Sequence, residues 1–281
     1  MDIEHTNAID IVADLERLAS RHPMPFDGGE VMWRRFGQGP HRLLFHGGHG
    51  GWLHWVRNIL PLAEHFTVWV PDLPGYGDSQ APREPTLASL VDALEHTFDA
   101  LLGPRTDVGV AGFSFGGLVA AEFACRRASV THLALLGPAG HGSPRRPRGT
   151  VQSWRSAQAN ADVQAVREIM RHNLCVHMLA KPESADELAV RIHTDACLRT
   201  RFRSKPISRA GGLAERLDRR VGPLTMAWGE HDITATPNDV VSRLIDGHPD
   251  RRAVILPDAG HWVQYEAAEQ VNALLLEALS I

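Results

Sequence analysis

An α/β architecture, with a mainly parallel sheet covered by helices on both faces, is what this chain predicts. Three observations point there. Short apolar runs of strand length alternate with helix-length segments, as a parallel sheet requires when each crossover is a helix. A serine flanked by glycines, Gly112-Phe113-Ser114-Phe115-Gly116, directly follows one such run, Val108-Gly109-Val110-Ala111. Between residues 140 and 213 the alternation stops, and only helix-like stretches remain. A length of 281 residues suits one large domain, or a core with an insertion.

In chain order, the amphipathic stretch 9–18 reads as an extra helix packed outside the sheet. Segments 30–36 and 42–46 read as strands, followed by a helix over 52–65 and a strand over 66–70. A helix at 86–102 then leads to a strand at 107–112, which runs into Ser114 and a helix over 115–127. The next strand is 131–136. The middle segment opens with the basic linker Gly140-His141-Gly142-Ser143-Pro144-Arg145-Arg146-Pro147 and continues through helices at 163–179 and 185–198. Strand 224–228, helix 238–245, strand 252–256 and helix 266–279 complete the pattern. The expected organisation is a core of residues 1–139 and 214–281, with a helical cap at 140–213 inserted after the sixth strand.

Composition sets the boundaries of function. Hydrophobic residues make up 43% and charged residues 22%, ordinary values for a globular protein. No run approaches the roughly 20 apolar residues of a membrane span. The start of the chain, with Asp2 and Glu4, lacks the basic-then-apolar pattern of a secretory signal. Cys125, Cys175 and Cys197 lack paired metal spacing and read as small buried hydrophobes in a reducing cytoplasm. The net charge of −4 argues against nucleic-acid binding, but it is unevenly spread. Residues 141–213 hold 13 lysines and arginines against 6 aspartates and glutamates, a net +7 that leaves −11 on the rest. Such a segment either attracts an anionic small molecule or is a solvated arginine-rich surface.

The Ser114 segment has the form of a sharp strand-to-helix turn, with its hydroxyl exposed at the strand's carboxyl end. Five residues match such a pattern easily by chance, so the partners decide its meaning. A serine hydroxyl needs a histidine to take its proton, and that histidine needs a carboxylate to fix its tautomer. In this kind of turn the chain order is serine, acid, histidine. Trp228-Gly229-Glu230-His231-Asp232 and Leu256-Pro257-Asp258-Ala259-Gly260-His261-Trp262 each follow a strand, which places Asp232 and His261 at the same sheet edge. Glu230 competes with Asp232 for the acid role, and Asp258 is a weaker third candidate. For the oxyanion, one backbone N–H should come from Phe115. The other should come from His46-Gly47-Gly48-His49-Gly50-Gly51, where Gly48 is the chosen donor. No Lys-Ser/Thr follows this loop, and no His-Glu-x-x-His or Cys-x-x-Cys occurs, so neither a nucleotide, a metal nor another cofactor is expected.

Together these motifs, with Asp72-Leu73-Pro74-Gly75-Tyr76-Gly77-Asp78-Ser79, resemble the α/β-hydrolase fold family over essentially the whole chain. Serine at 114 separates it from the haloalkane dehalogenases and epoxide hydrolases of that family, which carry aspartate there. Within the family the chain is most similar to the meta-cleavage-product hydrolases, which split C–C bonds in ring-fission products. The similarity rests on the segments beginning at Gly51-Trp52 and Gly260-His261-Trp262, and on the cap run Arg199-Thr200-Arg201-Phe202-Arg203-Ser204-Lys205-Pro206. It implies that Trp262 lies beside the substrate and that Arg199 binds a substrate carboxylate, with Arg203 as competitor. Two positions depart from the subfamily: Phe113 and His54 stand where those enzymes usually place asparagines. Phe113 has no side-chain hydrogen bond to offer, which makes one wall of the site apolar.

The resulting expectation is a cytoplasmic serine hydrolase cleaving a small carboxylic ester, carboxylate-bearing or not, through an acyl-enzyme. Its alternatives are C–C hydrolysis of a ring-fission product and, in a different class, a non-hydrolytic receptor or an acyltransferase on the same fold. The expected partner is a small molecule, without nucleic acid or membrane; a homodimer is left open.

Overall fold

The computed structural model describes residues 8–280. Asp2 and Glu4, on which the reading of the amino terminus rested, lie outside the described residues. Eight strands form one sheet: β1 (Ser20–Phe26), β2 (Gly29–Phe36), β3 (His41–Phe45), β4 (Thr67–Pro71), β5 (Val108–Phe113), β6 (Val130–Leu136), β7 (Leu224–Gly229) and β8 (Arg251–Leu256). Their order is β1-β2-β4-β3-β5-β6-β7-β8, and only β2 runs antiparallel to its neighbours. The helices before the strand-to-helix turn at Ser114, the elbow, are α1 (Ala8–Leu18), α2 (Ile59–Ala63) and α3 (Leu87–Leu102), and α4 (Phe115–Arg126) follows it. Between β6 and β7 lie α5 (Arg155–Ala159), α6 (Val163–His177), α7 (Glu187–Leu198), α8 (Ser204–Arg209) and α9 (Leu213–Asp218), with no strand among them. Helices α10 (Pro237–Ile245), α11 (Val263–Glu266) and α12 (Ala268–Ala278) complete the chain.

Successive strand side chains point to opposite faces, and the sheet uses both. On β3, Leu43 and Phe45 join an apolar layer with α3, α4 and α10, whereas Leu44 joins the layer under α2, α11 and α12. Both layers are closed to water, as the near-continuous apolar runs of β3, β5 and β7 require. Because β3, β5, β6, β7 and β8 are parallel, their carboxyl ends share one edge, where ligands enter such sheets.

Two elements differ from the sequence expectation for definable reasons, and the cysteines differ in burial. The helix expected over 52–65 is a 3-10 turn, Trp52–Trp55, followed by the short α2. Pro61 is the third residue of α2, where its missing N–H has no intrahelical partner to lose; a continuous helix would place it in the interior. Strand β1 was not foreseen, since Pro23 and Pro25 argue against a strand. They are tolerated because β1 is the sheet edge and pairs on one side alone. The cysteines are free, but only Cys197 is buried; Cys175 is exposed on the outer side of α6. No helix among the described residues is long and apolar enough to cross a membrane.

Candidate active site

Ser114 sits between β5 and α4 with φ 54° and ψ −117°, a conformation that costs about 1–3 kcal/mol for a residue with a Cβ. The surroundings hold it there. Its N–H donates to the Leu136 carbonyl (2.9 Å), and its own carbonyl accepts from Gly117 (2.9 Å) and Ala139 (2.8 Å). The turn also demands close approach on either side. A Cβ on Gly112 would stand 2.3 Å from the Gly116 carbonyl oxygen, and one on Gly116 would stand 2.4 Å from two carbonyl oxygens of Phe45 and His46.

His261 and Asp232 come from the turns after β8 and β7. His261 Nε2 lies 2.9 Å from Ser114 Oγ, and Nδ1 lies 2.8 Å from Asp232 Oδ2. An ionised carboxylate only accepts, so Nδ1 carries the proton and Nε2 offers its lone pair to the serine hydroxyl. Asp232 is fully buried, and its other oxygen accepts from the Thr234 backbone N–H and hydroxyl, both at 2.7 Å. Burial alone would raise its pKa. The neighbouring His261 and the bonds from His261 and Thr234 outweigh burial and hold it below the ordinary carboxylate value. The His261 loop is clamped as well. Glu266 accepts from Gly260 (2.7 Å) on this loop and from Ala180 (3.0 Å) and Lys181 (3.0 Å) after α6, while Trp262 N–H donates to the Met178 carbonyl (2.7 Å).

Glu230 and Asp258, the competing acids, are exposed beside His231 and make no bond to His261. Those three side chains come close enough to hold an ion, but exposed acidic groups commonly cluster without one.

Two cavities meet at Ser114 and His261. One, of about 250 Å³, runs past Gly48, Phe113, Phe115, Trp154 and Met178; the other, of about 310 Å³, runs past Gly137, His141, Arg145 and Arg209. Gly48 and Phe115 line the first of these cavities together with the serine. Phe113 is buried, with its ring 5.0 Å from that of His261. The structure does not bring the other expected contacts to the cavities. Arg199 ends α7, half-exposed, and pairs with Asp78; neither it nor Arg203 borders the serine. Trp262 and His54 lie behind the wall, where Trp262 Nε1 donates to the His54 carbonyl (3.0 Å) and stacks on Tyr265. His54 Nδ1 instead accepts from Gly47 N–H (3.2 Å), tying the glycine loop down. Thr234 was missed, although its place two residues after Asp232 fits a side chain bonding back in a tight turn. Arg145 belongs to the basic segment 141–213, which the sequence marks as a whole without giving this residue a role of its own.

Two fully buried histidines give the site a pH limit. His46 donates from Nδ1 to the Gly47 carbonyl (2.8 Å) and accepts at Nε2 from Leu73 N–H (2.9 Å), so it is neutral. Burial lowers its pKa against the opposing pull of Asp72. Burial and then the neighbouring histidines put His54 well below its ordinary value. A depressed folded-state pKa gives stability that is present above the unfolded value of about 6.5 and lost as pH falls below it. We expect these two residues to remove up to about 3 kcal/mol of unfolding free energy by about pH 5.5, with no loss near neutrality. Urea unfolding at about pH 7.5 and about pH 5.5 measures this, and a flat profile would contradict it.

Residues 40–268 match the alpha/beta hydrolase fold family. The chain is 27% identical over 258 residues to 2-hydroxy-6-oxo-6-phenylhexa-2,4-dienoate hydrolase of Burkholderia cepacia, covering 87% of this chain and 89% of that one. Over 106 residues, 38% of this chain and 35% of the other, it is 38% identical to pimeloyl-acyl-carrier-protein methyl ester esterase of Vibrio campbellii. Among solved structures, naproxen esterase from Bacillus subtilis superposes with a TM-score of 0.74 at 18% identity, covering 99% of this chain and 98% of that one. With the match spanning most of its length, the chain belongs to the alpha/beta hydrolase fold family and is a hydrolase of that fold.

Proposed function

We propose that this protein is a cytoplasmic serine hydrolase that cleaves a small carboxylic ester through an acyl-enzyme, with residues 140–213 as the lid over the site. The observation that carries this reading is the chain of contacts from Ser114 Oγ through His261 to the buried Asp232. Ser114 Oγ attacks the ester carbonyl and gives its proton to His261 Nε2, while the N–H groups of Gly48 and Phe115 receive the oxyanion. The tetrahedral species collapses, the C–O bond breaks, and His261 returns the proton to the departing alcohol. A water then loses its proton to His261 and attacks the acyl carbon; Ser114 leaves with that proton, and the acid is released. Asp232 holds the imidazole in the productive tautomer throughout and stabilises its charged form.

A second reading, C–C hydrolysis of a ring-fission product, is favoured by the Burkholderia cepacia relative named for such an activity. Against it stands the wall beside His261. Phe113 supplies only an aromatic face there, and His54 is turned away to the glycine loop, so neither offers a polar group to a dienone. Assays on p-nitrophenyl butyrate and on a coloured phenylhexadienoate ring-fission product separate the two. We expect kcat/KM on the ester to exceed that on the dienoate by at least about 100-fold; the reverse ranking would replace this reading with the second.

A further inference from the structure

The larger of the two cavities carries cationic charge with no partner. Arg145 and Arg209 line it together with Ser114 and His261, and neither guanidinium makes a hydrogen bond or ion pair to another side chain or carbonyl among the described residues. The contrast with their neighbours is informative. Arg146, next in sequence, donates to the Glu230 carbonyl (2.7 Å), and Arg148 donates to His177 Nδ1 (2.7 Å). Arg199 is already spent on Asp78.

Nor is the linker that carries Arg145 loosely placed. Gly140 N–H donates to the Ser208 carbonyl (3.0 Å) and Arg146 N–H to the Ile233 carbonyl (3.0 Å), while Arg243 donates to the His141 carbonyl (3.0 Å). The backbone is thus fixed on both sides of a guanidinium that is left over. Burial, then Arg209 and then Arg148, lowers the pKa of Arg145 against the opposing pull of Asp232, so Arg145 and Arg209 repel one another in the cavity they share. Asp232, whose charge acts on Arg145, does not line this space and is already bonded to His261 and Thr234. Of the other polar side chains in the lining, Ser143, Ser208 and Thr234 offer hydroxyls, which donate to an anion as readily as they accept, while His141 accepts from the Ser143 N–H and His177 from Arg148.

We propose that Arg145 and Arg209 hold a carboxylate on one arm of the substrate, so that the ester cleaved at Ser114 is a half-ester of a small dicarboxylic acid or an equivalent monoanion. This rests on the ester-hydrolase reading for the identity of the reacting bond, but not for the binding itself. Guanidinium forks match a carboxylate with two parallel N–H···O bonds, and a charged pair in a partly enclosed cleft is stronger than one in open water.

The test uses Ser114→Ala protein, which retains the ligand without turning it over, and measures binding by calorimetry. We expect monomethyl glutarate to bind about 10–100-fold more tightly than neutral dimethyl glutarate, the range that charged hydrogen bonds supply. Adding Arg145→Gln and Arg209→Gln together should bring the two affinities within about threefold, with each single change between, and Arg199→Gln should leave the preference intact. Equal affinities before the arginines are changed, or no binding of either ester, would overturn the proposal. So would a preference that survives loss of both arginines, or methyl phosphate binding more than about tenfold tighter than the half-ester. Fluorophosphonate labelling of the unmodified protein at Ser114 reports separately on the hydrolase reading. Labelled protein without an anion preference therefore rejects the carboxylate subsite alone.

Discussion

Ser114→Ala should lower kcat for ester hydrolysis by on the order of 10⁵–10⁶-fold, the scale seen when the nucleophile of a serine–histidine–aspartate set is removed. Its 2.9 Å contact with His261 and the strained elbow that exposes it leave no second hydroxyl in its place. The fold should be unaffected, since alanine keeps the backbone and the Cβ, and the elbow is held by backbone hydrogen bonds. His261→Ala should fall to a similar floor, and the double variant should go little lower, because the groups act as one unit. Asp232→Asn should lose about 10⁴-fold: an amide that donates to Nδ1 would hold the imidazole in the wrong tautomer. Rates on p-nitrophenyl butyrate, with fluorophosphonate labelling as a count of reactive serine, measure all four. Turnover or labelling that survives Ser114→Ala would remove Ser114 from the mechanism and with it the proposed acyl-enzyme.

How much of this was legible beforehand depended on the range of the interaction that decides each feature. The central strands could be read because a strand buried on both faces must be apolar, and β5 and β7 are. The meeting of Ser114, Asp232 and His261 at one edge followed from strand direction, since parallel strands deliver all their following loops to the same side. The errors fell where a local signal meets a long-range constraint. Pro23 and Pro25 hide an edge strand because nothing local says that its outer side is unpaired. Arg199 and Arg145 are equally basic in sequence. Only the fold shows that Asp78, 121 residues away, occupies the first and that the second is left facing a cavity. His54 and Trp262 were placed near the substrate by motif alone, and the structure finds them holding the glycine and histidine loops from behind.

That support from behind extends to the buried ion cluster beneath the glycine loop, where Arg34→Leu should cost about 3–5 kcal/mol, the price of stranding a buried charge. Arg34 is 1% exposed and pairs with Asp72 (3.0 Å), Asp78 (2.5 Å) and Glu16 (3.0 Å), with its guanidinium 4.6 Å above the Trp52 ring. Burial works against its charge, but Asp72, Glu16 and Asp78 outweigh burial and strengthen its hold on the proton. Asp72 itself accepts from the N–H groups of Trp52 (3.0 Å) and Asp78 (3.0 Å), so it anchors the turns on either side of the site. Once Arg34 is gone, that carboxylate stays buried without a cation, whereas Glu16→Gln removes only a partly exposed partner and should cost no more than about 1 kcal/mol. Adding Asp72→Asn to Arg34→Leu should recover part of the loss, because the amide carries no charge to strand and can still accept one of those N–H bonds. Urea midpoints at neutral pH, with unchanged slopes, give the four values of the cycle. Simple additivity would mean that the pair does not act as a buried ion pair. Rates should follow the same order: the residue after Asp72, Leu73, donates to His46, which in turn holds the Gly47 carbonyl next to the proposed oxyanion donor Gly48. A shifted anchor at Asp72 therefore reaches the reacting carbonyl through two hydrogen bonds, and kcat should fall while KM changes little.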